Sequence, residues 1–407
     1  MKKFFYVAIA ATALASCSSD NLVDLKEGDE IKFTAVADND SRAADVWCNN
    51  NYMPSFILYA DAEGTAFING EEYTQNGTSA SYTTTANRYW PETKELDFYA
   101  IYGVEKSNIT WQAAATPTSG PSTSLLTINQ TVKDQVDIVY AVKPNMKKNS
   151  IGVNNGVVTL NFRHALSQIE FQGLNANPDL EIKILDVRVG GVYTQGELTL
   201  PVATTDENVQ NHEKDNGVAF TSTPEIWSGL KTIGKYDIGT GENLFGDAIT
   251  LNTTATKLNI SEDADTYGEI KNNSMLLLPQ TQTRWNGSTG SFLAVKCVIS
   301  NILKDSKGNV TDRVVLYGDK EGDGTAEGRW AYVPVAIEWK PGYKYIYTFN
   351  FGNGTNAGFD DTGANDTPSN TPVLVDLNVS VTVDDFEPDP NSPVNTPMEV
   401  TPNKSQD

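Results

Sequence analysis

The side chain with the clearest chemistry in this 407-residue sequence is the thiol of Cys17. Leu14, Ala15 and Ser16 lead into it, behind an apolar run from Phe4 to Ala13 and a basic start at Lys2 and Lys3. This order reads as a lipoprotein export signal over residues 1–16, because the peptidase that cuts there needs small side chains before the cut and a thiol after it. The expected chemistry is alkylation, with the Cys17 sulfur taking a diacylglycerol that becomes the anchor. The apolar run is too short to span a bilayer itself.

Other reactive residue types are present but gather into nothing recognisable. The two histidines, His164 and His212, have no second ligand type at metal or triad spacing. A structural role is expected for His164 in its Phe-Arg-His-Ala setting, and solvent exposure for His212. Asp319, Glu321, Asp323 and Gly324 imitate the first half of a calcium loop, but Trp330 stands where a bidentate Glu must close it. An acidic hairpin turn is the better reading. With 52 Asp and Glu residues, a glycosidase-like carboxylate pair selects nothing. No HExxH, GxSxG, P-loop or dinucleotide fingerprint occurs. Neither catalytic residues, nor a metal, nor a cofactor are therefore expected, and the protein is read as a non-enzyme. Seven tryptophans could stack on sugars, but most lie beside apolar strand residues, where core packing is the usual role.

Bulk properties narrow the classes further. The formal charge of −22 becomes more negative once Lys2 and Lys3 leave with the signal, so nucleic acid is excluded as a partner. A hydrophobic fraction of 39% excludes a wholly disordered chain. With Cys17 assigned to lipid, only Cys48 and Cys297 could pair, and export permits it. Cys297 falls in phase with Leu293, Val295 and Ile299, which favours a small buried hydrophobe over a reactive thiol.

The elements that must position these residues are strands. Period-2 runs separated by Gly, Asn, Asp, Thr and Pro clusters predict an all-β chain. Ile31, Phe33 and Ala35 share one face; so do Leu96, Phe98, Ala100 and Tyr102; and so do Tyr343, Tyr345, Tyr347, Phe349 and Phe351. Such strands are expected to bury one face and wet the other. The most regular run places Val373, Val375, Leu377, Val379, Val381 and Val383 on one face. The interruption at residues 143–157 predicts a boundary between an N-terminal β-sandwich over 17–156 and a C-terminal one over 157–387. Residues 202–219 and 353–371 read as surface loops, and 388–407, with five prolines, as a flexible tail.

In combination, several segments resemble the fimbrillin family, lipoprotein precursors of type V pili in Gram-negative host-associated bacteria. They are the lipobox, the strand from Ile31 to Ala37 followed by Ser41, Arg42 and Ala43, and Arg88-Tyr89-Trp90-Pro91 with Leu96 to Ala100. Further along come Asp137 to Ala141, Phe162 to Ser167, Leu277 to Gln280, and Trp339 to Tyr343. The resemblance implies two tandem transthyretin-like Greek-key sandwiches and assembly by strand exchange. A protease of basic specificity would cut after Arg42, the strand carrying Ile31, Phe33 and Ala35 would leave, and a neighbouring subunit's strand would fill the groove. The run from Val373 to Val383 is the candidate donor, although the same alternation suits an edge strand of its own sheet. The partners implied are other pilin subunits in a homo- or hetero-polymer, the outer membrane through Cys17, and a host or bacterial surface ligand. The place would be a fimbrium on the cell surface. A monomeric surface lipoprotein that binds glycans is the alternative, and it would need exposed tryptophans on one sandwich face.

Overall fold

The computed structural model describes residues 30–37, 53–77, 81–149, 153–154, 156–202, 225–238, 248–264, 270–272, 274–318, 327–352, 357–361, 367–385 and 396–398. Its regular elements are strands and two single 3-10 turns, so the chain is all-β.

Eight strands form the N-terminal sheet: β1 (Lys32–Ala37), β2 (Ser55–Asp61), β3 (Ala66–Gln75), β4 (Ser81–Thr83), β5 (Leu96–Tyr102), β6 (Val139–Met146), β7 (Val157–His164) and the two-residue strand Val153–Asn154 paired to the start of β7. The first seven take the order β1-β4-β3-β2-β5-β6-β7, and β7 pairs back onto β1, so the sheet closes around its own core. Closure gives β1 a neighbour on both edges, β7 on one side and the short β4 on the other. The chain then crosses to the second sheet at Ala165 and Leu166, both fully buried, one strand beyond residue 156.

The C-terminal sheet is built from β8 (Ser167–Asn175), β9 (Leu180–Leu198), β10 (Trp227–Asp237), β11 (Phe292–Lys304), β12 (Arg329–Pro334), β13 (Tyr343–Phe351), β14 (Ala357–Asp361) and β15 (Pro368–Asp385). The spatial order is β10-β9-β11-β12-β14-β15-β13-β8. Phe359 of β14 pairs with Tyr332, and β15 starts at Pro368, so the stretch expected to be a surface loop over 353–371 contributes to two strands. Its Gly, Asn and Asp content hid them, because a cross-strand aromatic neighbour is invisible to local composition.

The two sheets share a core. The inward faces of β2, β5 and β6 line the N-terminal interior with Leu58, Phe98, Ala100 and Ala141. Their opposite faces carry Tyr59, Tyr99, Ile101, Tyr140 and Val142 into the same cluster as Ile169, Phe171, Val187 and Phe349 of the C-terminal sheet. One wet face was expected for β5, yet Tyr99 and Ile101 are as buried as Phe98. A strand sandwiched between two cores reads as a continuous apolar run. Elsewhere the alternation holds: Tyr345, Tyr347, Phe349 and Phe351 of β13 are buried and Lys344 to Asn350 on the other face are half-exposed.

Two buried polar pairs fix this framework. Arg188 donates through Nε to Asp237 Oδ1 at 2.6 Å and through Nη2 to Oδ2 at 2.7 Å, with its guanidinium 4.1 Å from the Trp330 ring centroid. His164 Nδ1 lies 2.7 Å from Asp137 Oδ2 with both residues buried, the structural setting expected for this histidine. The pair joins the end of β7 to the start of β6 at the crossing between sheets.

Candidate functional site

The first described strand is also the most unusual. β1 is the sole parallel neighbour in the N-terminal sheet among the described strands, running beside β7 in register from Lys32 opposite Val157 to Ala37 opposite Phe162. Its alternation drives Ile31, Phe33 and Ala35 inward to 4%, 0% and 3% exposure. Phe33 is wedged between Tyr73 and Phe98, with ring centroids 5.0 and 5.3 Å away and both contacts edge-on. Burying Ile31 and Phe33 is worth about 1.5–3 kcal/mol each. Thr34 points outward and donates to Thr159 Oγ1 at 3.3 Å.

The two edges of β1 are held unequally. Against β7 it has six register pairs, whereas against β4 only Phe33 with Tyr82 and Thr34 with Ser81 are paired. Ahead of these, Ile31 N–H donates to Arg88 O at 2.7 Å and Glu30 bridges Tyr89. Between the two attachments lies a cavity of about 500 Å³, bordered by Glu30, Lys32, Tyr73, Tyr82, Thr83 and Arg88. Tyr73 is buried and its hydroxyl has no hydrogen-bond partner. Burial, and then the nearby Glu30 charge, raise the Tyr73 phenol well above its ordinary range and keep it neutral.

Residues from distant segments converge on this strand. Arg88 is held by an ion pair to Glu71. Trp90 is buried, donates from Nε1 to Gly156 O at 3.3 Å and meets Phe98 edge-on, while the same carbonyl accepts the Lys32 N–H at 3.1 Å. Phe162 packs against Phe56 in the same core. The remaining quoted segments, Leu277–Gln280 and Trp339–Tyr343, hold the root of β8 instead. Gln280 and Trp339 exchange backbone hydrogen bonds, Gly342 N–H donates to Leu166 O at 2.9 Å, and Ser167 Oγ donates to Lys340 O at 2.8 Å.

The other predicted site residues are placed as follows. Cys17, Arg42, Cys48, Trp47, His212 and the acidic loop at 319–324 lie outside the described residues. Leu377, Val379 and Val381 are buried in β15, whose residues Leu377 to Asp385 pair antiparallel with β13, so the candidate donor completes its own chain's sheet in this structure. Val373, Val375 and Val383 belong to the same strand. Cys297 is a free, fully buried thiol, pushed up to about 12 by burial. Of the six described tryptophans, Trp90 and Trp339 are buried and Trp111, Trp227, Trp285 and Trp330 are half-buried. Among the described residues no three His, Cys, Asp or Glu side chains gather as metal ligands would, and no helix is long and apolar enough to cross a membrane. Of the walls of the Phe33 slot, Phe98 was read as an inward strand residue and Tyr73 was not singled out from sequence. Phe98 sat in a quoted segment, but nothing local linked either residue to β1.

Comparison with known proteins follows from this geometry. No curated protein matches the chain significantly. Among solved structures, a fimbrial protein from Bacteroides vulgatus is similar at 15% identity, with 88% of this chain and 99% of that chain covered and a TM-score of 0.49. The tip fimbrial protein Mfa3 from Porphyromonas gingivalis, with a C-terminal truncation, is similar at 10% identity, with 86% and 99% covered and a TM-score of 0.33. The assignment rests on the sequence profile of the fimbrillin-like family, which matches residues 23–366, and the chain belongs to that family.

Proposed function

We propose that the protein is a structural subunit of a cell-surface fimbria that assembles by exchange of β1. The observation that carries this reading is β1 itself: a short parallel strand, buried through Ile31, Phe33 and Ala35, and half-attached along one edge. Losing it would bare the β7 ladder and empty three apolar slots, and an incoming strand would recover both the hydrogen bonds and the burial. Export as a lipoprotein through Cys17, outer-membrane anchoring by its lipid, and cleavage after Arg42 complete the scheme. β15 is the strand this chain would donate, and donation would require it to leave β13. Partners are other pilin subunits and, for adhesion, a host or bacterial surface ligand.

The glycan-binding alternative gains no support from the tryptophans, since none of the six described is exposed. A structural, non-enzymatic role is the one the fimbrillin-like family supports.

The test is N-terminal sequencing of surface-extracted protein beside unheated denaturing gels. A start at Ala43 with a ladder of resistant oligomers is expected. A start at Cys17 without a ladder would sink exchange as the assembly mechanism. Cys17→Ala should leave the membrane fraction, and Arg42→Ala should block maturation.

A further inference from the structure

We propose that the groove beneath β1 is specific for a strand whose inward residues run large aliphatic, aromatic, small, and that it is therefore filled by a different subunit, not by β15 of a second copy. This rests on the strand-exchange reading and specifies the partner for it.

The occupant seen in the structure defines the slots. Ile31, Phe33 and Ala35 are all at 4% exposure or less; Ile31 also borders the cavity, whereas Phe33 is enclosed by two rings, so the middle slot is the most closely matched to its side chain. The middle slot is walled by the Tyr73 and Phe98 rings, which meet Phe33 edge-on, a geometry that a branched aliphatic cannot reproduce. The third slot holds only a methyl group.

β15 misfits at two of the three positions in every register. From residue 373 to 384 it carries only Val, Leu, Asp, Asn, Ser and Thr. Leu377 is the bulkiest side chain on its apolar face, and with it in the Phe33 slot Val379 falls into the slot shaped for Ala35. The first placement leaves a void between rings and the second forces extra methyl groups into a closed space, and both are destabilising.

β1 is not a perfect occupant either. It leaves the Tyr73 hydroxyl buried without a partner, beside the cavity at its half-paired edge. A foreign strand with the right inward pattern thus competes against an incumbent with an unmet hydrogen bond.

The experiment uses the full chain cut after Arg42, incubated with excess labelled synthetic peptides and read by fluorescence anisotropy and by survival on unheated gels. The peptides are residues 30–38, the same with Phe33→Val, residues 371–385, and the latter with Leu377→Phe and Val379→Ala together. The 30–38 peptide should bind, and Phe33→Val should weaken it at least tenfold. The 371–385 peptide should bind at least tenfold more weakly than 30–38, and its doubly substituted form should recover at least tenfold. Equal binding of 371–385 and 30–38, or no gain on double substitution, overturns the specificity while leaving exchange intact. Failure of the 30–38 peptide itself to bind overturns exchange and this inference with it.

Discussion

Each sheet starts from a strand that runs parallel to a late one: β1 beside β7, and β8 beside β13. The two starts differ in how they are secured. β8 follows directly from β7 through the buried Ala165 and Leu166, has eight register pairs with β13, and is braced at its root by Lys340 O and the Leu166–Gly342 hydrogen bond. β1 has six pairs on one side and two on the other, with a cavity beside them. The same parallel arrangement is thus paired along its length and braced at its root in one half, and lightly held along one edge in the other. Connectivity and edge pairing, more than apolar burial, separate the two, since Phe33 and Phe171 are equally hidden.

Truncating those two rings is the strongest way to break the comparison. Phe33→Ala and Phe171→Ala should each cost about 3–5 kcal/mol. In denaturant unfolding, Phe171→Ala should lower the transition of the whole chain, because its ring stacks on Tyr347 and Phe349 in the shared core. Phe33→Ala should act on the N-terminal sheet, exposing its amides in hydrogen exchange while the β8–β13 ladder stays protected. Equal loss of protection in both sheets would contradict the difference. Tolerance at the alanine position can be probed next: Ala35→Leu should cost about 1–3 kcal/mol by overpacking, read as a lower midpoint at unchanged slope. Thr34→Val should cost about 0.5–1.5 kcal/mol through the lost hydrogen bond to Thr159.

The smallest effect sharpens the comparison by pH. Asp97 on β5 has its carboxyl raised above 3.8, first by burial and then by the Asp61 and Glu95 charges, against a lowering hydrogen bond from the Asn145 N–H. A raised folded-state value means that the stability it contributes is present below 3.8 and is lost as pH rises through the folded value. Asp97→Asn keeps an acceptor for Asn145 and should flatten that part of the pH–stability curve, measured by thermal melts from acid to neutral pH. An unchanged curve would remove Asp97 as its source.

Sequence showed more of the strands than of their neighbours. Alternation located β1, β13 and β15 because each turns one face to a core. It missed the second buried face of β5, since Tyr99 and Ile101 face a core supplied by residues far along the chain. It also failed to anticipate Gln168 and Glu170, whose polar side chains are buried in a hydrogen-bonded triangle with Ser274, where a wet face was the natural reading. The pairing of β1 with β7 joins residues 125 positions apart at Thr34 and Thr159, and no local pattern encodes a parallel partner at that distance. The inward face of β1 was legible as a row of apolar residues, but not the pair of rings that encloses Phe33.

The unequal attachment of β1 also makes its resistance depend on the direction of pull. A force along the strand loads all six pairs with β7 at once, as a lap joint is loaded in shear. A force lifting either end out of the sheet meets the pairs one after another, as a zipper does, and the two-pair edge beside the cavity offers little to stop it. A fibre joined through such a seam would be stiff along its axis, yet each joint could be opened from one end by a modest sideways force.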